Sequence, residues 1–555
     1  MKLAAVAVVA ATAAVAQNIP SIAWGFASSA YQVEGAWNVD GKGPSVWDHW
    51  FLNNHSLVAS KGAGNPIAAG DVFKTAGHYD RMKEDVALMA SFKSSMYRFS
   101  VAWSRIFPQC NGQVNQKGID FYSRLIDELL NAGIQPVLTM YHWDTPQACE
   151  DQYGSLLNRD MFIRDFTSYA DVLYANFGSR VKYWLTFNEP AAYCGRGFGP
   201  VSDAYIWPPG KNGRESDKYN CIATTSIAHG AVVQLARSKY PQYEMKFSMP
   251  LIIAYYIPVA PADVEQANIN TLSQGDWLWG SLASADGDYP AYLKTVKTGD
   301  MDGSLLPAFT AAEKATMKGT LDYVALNYYS AQYFNGVSGQ SAPTLTIKAD
   351  QVPWQSAYPG GIRGITQLMA RSYGPLLASS VGGLAPVMVS ECGYGSISEA
   401  FGPISQSVND VDRQAFFEGI TAGLQLAVVE DKTPVFGFLA WSLLDNLEWL
   451  TFDQTWGLVH VDQQGGTLER TVKQSANKLA AFFAGSKSPI ALAQPGSKPA
   501  NSTVSSSAPA ATASGAAVTT ANPTATGSPS KSSSSIATGY SVAVALFSAF
   551  ALMLV

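Results

Sequence analysis

The chain of 555 residues is poor in charge, histidine and cysteine. Charged residues make up 14% of it and the net charge is −6, too mild to predict binding to nucleic acid or to an anionic membrane surface. Its six histidines form no His-x-x-x-His pair and no cluster with cysteine, so no metal site is predicted. The stretch from Gly35 to Gly43 lacks phosphate-loop spacing, and no Gly-x-Ser-x-Gly motif occurs. A reaction without metal or cofactor is the simplest prediction.

Both ends of the chain differ in composition from its centre. Residues 1–16 combine Lys2, an apolar run and Ala14-Val15-Ala16, which is typical of a signal peptide cleaved before Gln17. Residues 486–539 are rich in Ser, Thr, Pro and Ala and cannot bury enough apolar surface to offset their ordering entropy. They predict a disordered, O-glycosylated stalk, which leaves residues 17–485 as one folded domain.

The last segment, residues 540–555, is apolar but short for a membrane span. Small residues, a polar spacer and a terminal apolar tail are typical of a glycosylphosphatidylinositol (GPI) anchor signal, here with Gly527, Ser528 or Ser530 near the attachment site. A short tail anchor or an ordinary secreted stalk is the alternative, and in each case the folded domain lies outside the cell. Asn54 and Asn501 are predicted glycosylation sites.

The five cysteines leave at least one thiol unpaired in an oxidising compartment. Cys392 is the candidate for the free thiol, because it stands at the end of a predicted strand. The pairs Cys110 with Cys149 and Cys194 with Cys221 are one arrangement among several. The sequence does not choose between these arrangements.

Apolar runs of strand length alternate with longer helical patterns between residues 17 and 485. Helices are predicted at Tyr79–Ser91, Gly118–Ala132 and Arg159–Phe177. Repeated strand–helix units that close on themselves predict an α/β fold, a single (β/α)₈ TIM barrel. The eight predicted strands are Ile22–Ala30, Ser95–Val101, Ile134–His142, Val181–Glu189, Lys246–Tyr256, Leu321–Tyr329, Ala385–Glu391 and Val435–Leu443.

Two of these strands end in a glutamate. The fourth stops at Asn188-Glu189-Pro190, because proline cannot donate to a strand ladder. The seventh stops at Glu391, shortly before Gly393. A carboxylate at the end of a buried strand is costly unless it has a partner or a task. Only a fold that gathers strand ends can bring these two distant glutamates together.

In a barrel the carboxyl ends of all strands meet at one mouth, where active residues lie. Two carboxylates there favour glycoside hydrolysis, in which a retaining enzyme holds a nucleophile and an acid/base ~5–5.5 Å apart. The acid needs a pKa raised by its surroundings, whereas donors such as Arg98 and Tyr329 could keep the nucleophile ionised. The candidate residues at these strand ends are Gln32, Arg98, His142, Trp143, Asn188, Glu189, Asn327, Tyr329, Glu391, Trp441, Glu448 and Trp449.

Four stretches together resemble glycoside hydrolase family 1, a resemblance that covers about residues 20–485. The stretches are Ser28–Ala36, Tyr141–Asp144, Asn188–Pro190 and Trp441–Trp449. The resemblance implies a retaining β-glucosidase without a cofactor, which releases terminal glucose from β-glucosides and short cello-oligosaccharides.

Matched position by position, the resemblance also implies roles for the candidate residues. Glu189 would be the acid/base and Glu391 the nucleophile, and Arg98, Asn327 and Tyr329 would steady these carboxylates. The residues that would bind the terminal sugar are Gln32, His142, Asn188 and Glu448 by hydrogen bonds, Trp441 beneath its ring, and Trp143 and Trp449 beside it.

Three positions refine this expectation. The family usually has Asn after the nucleophile, whereas this chain has Cys392, and activity is expected to survive if that side chain only packs. Thioglucosidase relatives in plants replace the glutamate matched by Glu189 with Gln, so its presence favours oxygen glycosides. Relatives that act on phosphorylated sugars replace the glutamate matched by Glu448, so an unphosphorylated sugar is expected.

Two other functions stay open at this point. One is transglycosylation, in which a sugar acceptor intercepts the covalent intermediate. The other is a catalytically silent barrel that serves as a surface binding module, although such proteins normally lose a catalytic carboxylate. The choice between glucose and galactose also stays open, as does the aglycone, which would contact the loops at residues 195–220 and 336–361.

Overall fold

The computed structural model describes residues 22–53, 72–200, 207–298, 301–339, 359–452, 454–463 and 465–485. The proposed signal peptide, stalk and apolar tail lie outside these residues. So do both glycosylation sites, Asn54 and Asn501, and the three anchor positions, Gly527, Ser528 and Ser530. These assignments therefore stay predictions.

The centre of the fold is a parallel sheet that closes into an eight-stranded barrel, which confirms the predicted fold. The first and last strands pair in parallel and place Ala27 opposite Trp441. The strands are β1 (Ala23–Ala27), β2 (Met96–Ser100), β3 (Gln135–Tyr141), β4 (Tyr183–Phe187), β5 (Lys246–Ser248 and Leu251–Ile252), β6 (Val324–Asn327), β7 (Val387–Cys392) and β8 (Val435–Trp441).

The fifth strand is shorter and more broken than the sequence predicts. Pro250 has no N–H for a ladder, and β5 is interrupted at this residue. The first segment of β5 pairs with β4 and the second with β6, so that the chain itself closes the ring. Tyr255–Pro258, at the end of the predicted strand, instead pairs with Ala331–Phe334 in a separate two-stranded sheet.

The barrel strands are buried on both faces, because helices cover the outside and side chains fill the inside. Every residue of β3 is buried, for example, which explains its nearly continuous apolar sequence. The cluster that fills the interior consists of Ala23, Ala27, Met96, Val137, Leu185, Tyr323, Ala325, Met388, Leu439 and Trp441.

Several of the helices that surround the barrel are amphipathic. The helix Gln116–Asn131 buries Ile119, Tyr122 and Ile126 at helical spacing. Arg159–Phe177 is capped by Asn158, whose side chain accepts the N–H of Met161, 3.4 Å away. The other α-helices are Ala30–Val33, Val46–Asn53, His78–Ser91, Trp103–Ile106, Gln147–Tyr153, Pro190–Phe198, Glu215–Lys239, Val264–Gly275, Ser281–Ala283, Ala311–Met317, Pro359–Tyr373, Ile397–Phe401, Ile404–Val408, Val411–Val429 and Gln474–Ala484.

Short elements and covalent links complete the described chain. Two antiparallel pairs join Lys297–Thr298 to Met301–Asp302 and Val459–Val461 to Arg470–Val472. None of the helices in the described ranges has the length and apolar character of a membrane span. The disulfides are Cys110–Cys149 and Cys194–Cys221, and Cys392 is a buried free thiol. Among the arrangements that the sequence left open, the structure thus has the one named above.

Candidate active site

The two glutamates lie at the ends of their strands by different backbone routes. Glu189 follows β4 and precedes the helix Pro190–Phe198, with φ 42° and ψ 54° in the left-handed region. Such a conformation costs of order 1–3 kcal/mol in a non-glycine residue, and here the N–H of Glu189 is fixed to the carbonyl of Pro250 at 2.9 Å. Glu391 lies within β7, in register with Asn327 of β6.

Glu391 accepts hydrogen bonds on both carboxylate oxygens. Arg98 Nη1 is 2.5 Å from Oε1, and the Tyr329 hydroxyl is 2.7 Å from Oε2. The guanidinium is itself oriented by Thr139 Oγ1 at 2.9 Å and by the Ser390 carbonyl at 3.1 Å. Charge-assisted hydrogen bonds of this kind are shorter and stronger than those between neutral groups.

A continuous hydrogen-bond network joins the two glutamates. Asn327 Nδ2 donates to Glu189 Oε1 at 2.6 Å and to Asn188 Oδ1 at 3.2 Å. Asn188 Oδ1 also accepts from Arg98 Nη2 at 2.7 Å, and Arg98 binds Glu391. Both carboxylates therefore belong to one buried polar cluster at the mouth of the barrel.

Two glutamates at the mouth are held in conditions that favour the protonated form. Burial, followed by the charge of Glu391, raises the pKa of Glu189 to about 8. The same two causes raise the pKa of Glu448 to about 8. Among the described residues, Glu391 forms an ion pair with Arg98, whereas neither Glu189 nor Glu448 forms an ion pair. The mouth thus separates an ion-paired carboxylate from two that keep a proton near neutrality.

Gln32 and Glu448 lie together on another side of the mouth. The Ser29 hydroxyl donates to Gln32 Oε1 at 2.7 Å and so fixes the direction of the amide. Gln32 Nε2 then donates to Asn446 Oδ1, the Leu447 carbonyl and Glu448 Oε2 at 3.2, 3.0 and 3.4 Å. An amide beside a carboxyl group supplies donors and acceptors suited to adjacent hydroxyls.

His142 is a neutral, oriented imidazole. Burial, with the charge of Arg98, holds the pKa of His142 well below its usual value. Its Nε2 lies 3.2 Å from the donor Nδ2 of Asn188 and therefore accepts, which places the ring proton on Nδ1. Within the described residues this Nδ1 has no hydrogen-bond partner. The imidazole ring also stacks on Trp441, with 10° between the planes.

An aromatic wall borders these polar groups. The Trp449 ring lies 4.3 Å from that of Trp143 and 4.8 Å from that of Trp47, between ring centroids. Trp207 extends the wall at 5.0 Å from Trp143. The indole of Trp143 donates to the carbonyl of Asn188 at 2.7 Å, which ties the wall to the strand that carries Glu189. Flat apolar surfaces of this size suit the faces of sugar rings.

All twelve residues named from the sequence lie at this mouth, and the structure adds supporting residues that the sequence did not indicate. Asn446 lies inside the stretch Trp441–Trp449, and Ser390 immediately precedes Glu391, so proximity in the chain is a usable signal for both. Nothing in the sequence marks Thr139 or Trp47. The described residues contain no group of three or more side chains that could hold a metal ion.

The unusual cysteine beside Glu391 lies in the apolar core. Cys392 is fully buried, and burial raises the pKa of its thiol well above the usual value. Gly393 follows because a Cβ there would lie 1.9 Å from the Trp441 carbonyl oxygen. The end of β7 is thus held by close approach to β8, and the Cys392 side chain packs in the apolar core.

A parallel (β/α)₈ barrel that gathers two linked glutamates, oriented polar groups and an aromatic wall at one mouth defines the class of barrel glycosidases. The model of glycosyl hydrolase family 1 matches residues 17–487. The chain therefore belongs to this family and is an O-glycoside hydrolase.

Relatives agree in sequence and in structure. Beta-glucosidase 24 of rice, Oryza sativa subsp. japonica, is 32% identical, with 83% of this chain and 92% of the relative covered. Beta-glucosidase 1B of Phanerodontia chrysosporium is 33% identical, with 85% and 87% covered. The solved beta-glucosidase 2 of Trichoderma reesei, in complex with Tris, has a TM-score of 0.72 at 30% identity and covers 84% of this chain and 99% of its own. A mutant rice β-glucosidase in a covalent complex with Glc has a TM-score of 0.71 at 32% identity and covers 84% and 98%.

Proposed function

We propose that the chain is a retaining β-glucosidase that releases terminal non-reducing β-D-glucosyl residues from β-glucosides and short cello-oligosaccharides. The observation that carries this proposal is the unequal environment of two linked glutamates. Glu391 is paired with Arg98 and Tyr329, whereas the pKa of Glu189 is raised to about 8 by burial and by the charge of Glu391. One group is suited to attack and the other to donate a proton.

In the first step, Glu391 attacks the anomeric carbon while the bond to the leaving oxygen breaks. Glu189 transfers its proton to that oxygen, so the aglycone departs as a neutral alcohol. The product is a glycosyl ester of Glu391. As the ester forms, Arg98 and Tyr329 lose the charge they were bound to and remain as donors near the reacting centre.

The second step follows from the electrostatics of the first. Esterification removes the negative charge of Glu391, which is the second cause of the raised pKa of Glu189. Glu189 then ionises more readily and can accept a proton from water, which attacks the anomeric carbon and releases Glu391. Two inversions give net retention.

The groups around the carboxylates fit a terminal glucose. Gln32 and Glu448 would share two adjacent hydroxyls, and Nδ1 of neutral His142 would donate to another. Trp441, which also donates to Glu448, would lie beneath the apolar face of the ring. The names of the rice and Phanerodontia relatives support glucose, and the covalent rice complex supports an intermediate of this kind.

The proposal is tested with Glu391→Gln and Glu189→Gln on cellobiose and on an aryl glucoside with a good leaving group. Loss of the nucleophile should lower kcat by about 10⁴-fold or more on both substrates. Loss of the acid should cost about 10²–10⁴-fold on cellobiose and less in the glycosylation step of the aryl glucoside. Glu430→Gln, at an exposed helix end, is the matched control. Unchanged turnover in both site variants contradicts the proposal.

We also propose that the folded domain is secreted and held at the cell surface by the C-terminal GPI anchor. The two disulfides support an oxidising compartment. Treating intact cells with phosphatidylinositol-specific phospholipase C should release β-glucosidase activity, and a chain truncated after residue 485 should be secreted freely. Activity that resists the phospholipase, or that stays inside cells, contradicts this localisation.

A further inference from the structure

Ser390 stands immediately before the nucleophile in β7, and its side chain points to the partner of the acid. The residue is fully buried. Its carbonyl accepts a hydrogen bond from Arg98 Nη1 at 3.1 Å, the nitrogen that also binds Glu391. Its hydroxyl lies 2.7 Å from Asn327 Oδ1 and donates to it, because an amide oxygen only accepts. The backbone of Ser390 therefore acts on Arg98, and the side chain acts on Asn327.

The hydrogen bond from Ser390 holds the oxygen end of the Asn327 amide. With Oδ1 turned to the serine hydroxyl, Nδ2 donates to Glu189 Oε1 at 2.6 Å and to Asn188 Oδ1 at 3.2 Å. The second contact supports the same orientation. Arg98 Nη2, which only donates, lies 2.7 Å from Asn188 Oδ1 and so fixes that atom as an oxygen. The amide of Asn327 is thus held at both of its ends.

This orientation assigns the acid proton to one oxygen of Glu189. Oε1 accepts the N–H of Asn327, so a proton on Oε1 would point at another donor. The proton of the neutral carboxyl group therefore belongs on Oε2. In the glycosylation step it passes from Oε2 to the leaving oxygen, while the bond from that oxygen to the anomeric carbon breaks and Glu391 forms its ester.

The contact with Asn327 also limits how strongly Glu189 holds its proton. Burial, followed by the charge of Glu391, raises the pKa of Glu189, and the hydrogen bond from Asn327 opposes both. A general acid must carry its proton near the working pH and still release it in the transition state. An Asn327 side chain that lost its orientation would leave the proton both less well placed and more tightly bound.

We propose that Ser390 is a positioning residue that, through Asn327, keeps the acid proton on Oε2 of Glu189, from which it is delivered to the leaving oxygen. The inference rests on the proposed β-glucosidase function and adds to it the oxygen that acts and the residue that selects it. A serine that only satisfied a buried amide oxygen would affect folding and would act equally on every substrate. The proposed role acts on those substrates whose leaving group needs a proton.

The test compares cellobiose with 2,4-dinitrophenyl β-D-glucoside, whose phenolate leaves without protonation. The readout is the ratio of their kcat/KM values, which reports the glycosylation step and cancels the fraction of folded enzyme. Ser390→Ala should lower kcat/KM by about tenfold for cellobiose and by about twofold or less for the aryl glucoside. Ser390→Thr keeps the hydroxyl and should restore most of the ratio. Ser248→Ala is the matched control, because this buried hydroxyl in β5 donates to the Tyr323 carbonyl at 2.6 Å, and it should leave the ratio unchanged.

Each outcome decides the inference. Equal losses on both substrates in Ser390→Ala, or no loss on either, overturn it, and so does a ratio in Ser390→Thr as low as that in Ser390→Ala. If Ser390→Ala fails to fold, Ser390→Cys keeps a side chain of similar size with a weaker donor. Its ratio should fall part of the way, and an unchanged ratio again overturns the inference. No hydrolysis of either substrate by the unmodified enzyme would instead count against the β-glucosidase function itself.

Discussion

The mouth of the barrel and a second buried charge cluster use the same residue types in opposite ways. The second cluster, here called the anchor network, consists of Glu399, Asp410, Arg413, Asp445 and Lys473. Lys473 is 2.9 Å from Asp445 and 3.2 Å from Glu399, and Arg413 binds Glu399 at 2.8 Å and Asp410 at 2.9 Å. Each acid in the network has a cationic partner, whereas at the mouth Arg98 pairs with Glu391.

The pKa values follow this difference in counter-charge. Burial opposes ionisation of Asp445, but Lys473, His460 and Arg413 together hold the pKa of Asp445 below its usual value. Burial is not offset in this way at Glu448, three residues further on, where the pKa is raised to about 8. One loop therefore carries a carboxylate that anchors the fold and a carboxyl group that serves the site. Because both groups are buried, the cations beside Asp445 are what separate it from Glu448.

The largest effect is expected for Arg98→Met, which removes the cation that pairs with Glu391. A buried carboxylate left without its partner is destabilised by about 3–5 kcal/mol, so kcat/KM should fall by about 10³-fold. The free energy of unfolding should also fall, by up to about the same 3–5 kcal/mol, so kcat/KM is measured on the folded variant. Arg98→Lys keeps the positive charge but loses the several N–H donors of the guanidinium, so its kcat/KM should lie between those of the unmodified enzyme and Arg98→Met. If Arg98→Met lowers the free energy of unfolding but leaves the kcat/KM of the folded protein unchanged, the ion pair at the mouth would have the same purely structural role as the anchor network.

The converse result is expected for Lys473→Met in the anchor network. Both Asp445 and Glu399 lose a buried partner, and the free energy of unfolding should fall by about 3–5 kcal/mol in urea titrations. Lys478→Met, half-exposed on the helix that Lys473 precedes, is the control and should change stability by about 0.5 kcal/mol or less. At 20 °C the folded variant should retain most of its turnover. An unchanged unfolding midpoint would contradict the anchoring role.

The barrel could be predicted from sequence because its information is local. Apolar runs such as β3 and β8 are buried on both faces and alternate with amphipathic helices, so the eight strands could be counted. The predicted fifth strand, Lys246–Tyr256, was too long because it ran through Pro250, which interrupts β5 in the structure. The pairing of Tyr255–Pro258 with Ala331–Phe334 is a non-local choice that strand pattern does not express.

The site was predictable for a similar reason and only to a similar extent. Glu189, Glu391 and their companions stand at strand ends, which a barrel brings together. Residues that act through a contact across the chain, such as Thr139 on Arg98 and Trp47 on Trp449, have no mark in the sequence. Nor does spacing reveal Lys473, because the partner acids lie in other elements and come near only after folding.

Smaller changes in the free energy of unfolding are expected for Asp445→Asn in the anchor network and Glu448→Gln at the mouth, and the two changes should have opposite signs. Asp445→Asn removes a charge that two cations stabilise and should lower the free energy of unfolding at pH 7 by about 1–3 kcal/mol. Glu448 has a folded pKa of about 8 against an ordinary value of 4.5, so it costs stability as pH rises between these values. Glu448→Gln should therefore raise stability at pH 7 by about 1–3 kcal/mol and change little near pH 4. If both substitutions change the free energy of unfolding at pH 7 in the same direction, as measured by urea titration, the comparison of the two clusters is contradicted.

The smallest effect concerns the alkaline limb of activity. Glu189 must be protonated to act as the acid, so kcat/KM should fall as pH rises through about 8. Besides burial, the groups that set this pKa are Glu391, which raises it, and Asn327, Arg98 and Arg196, which lower it. Arg196→Met should thus move the limb to higher pH, by about half a unit or less for a partly exposed charge. Arg124→Met, on the exposed side of the helix Gln116–Asn131, should not move it, and a shift to lower pH in Arg196→Met would contradict the electrostatic coupling of this arginine to the acid.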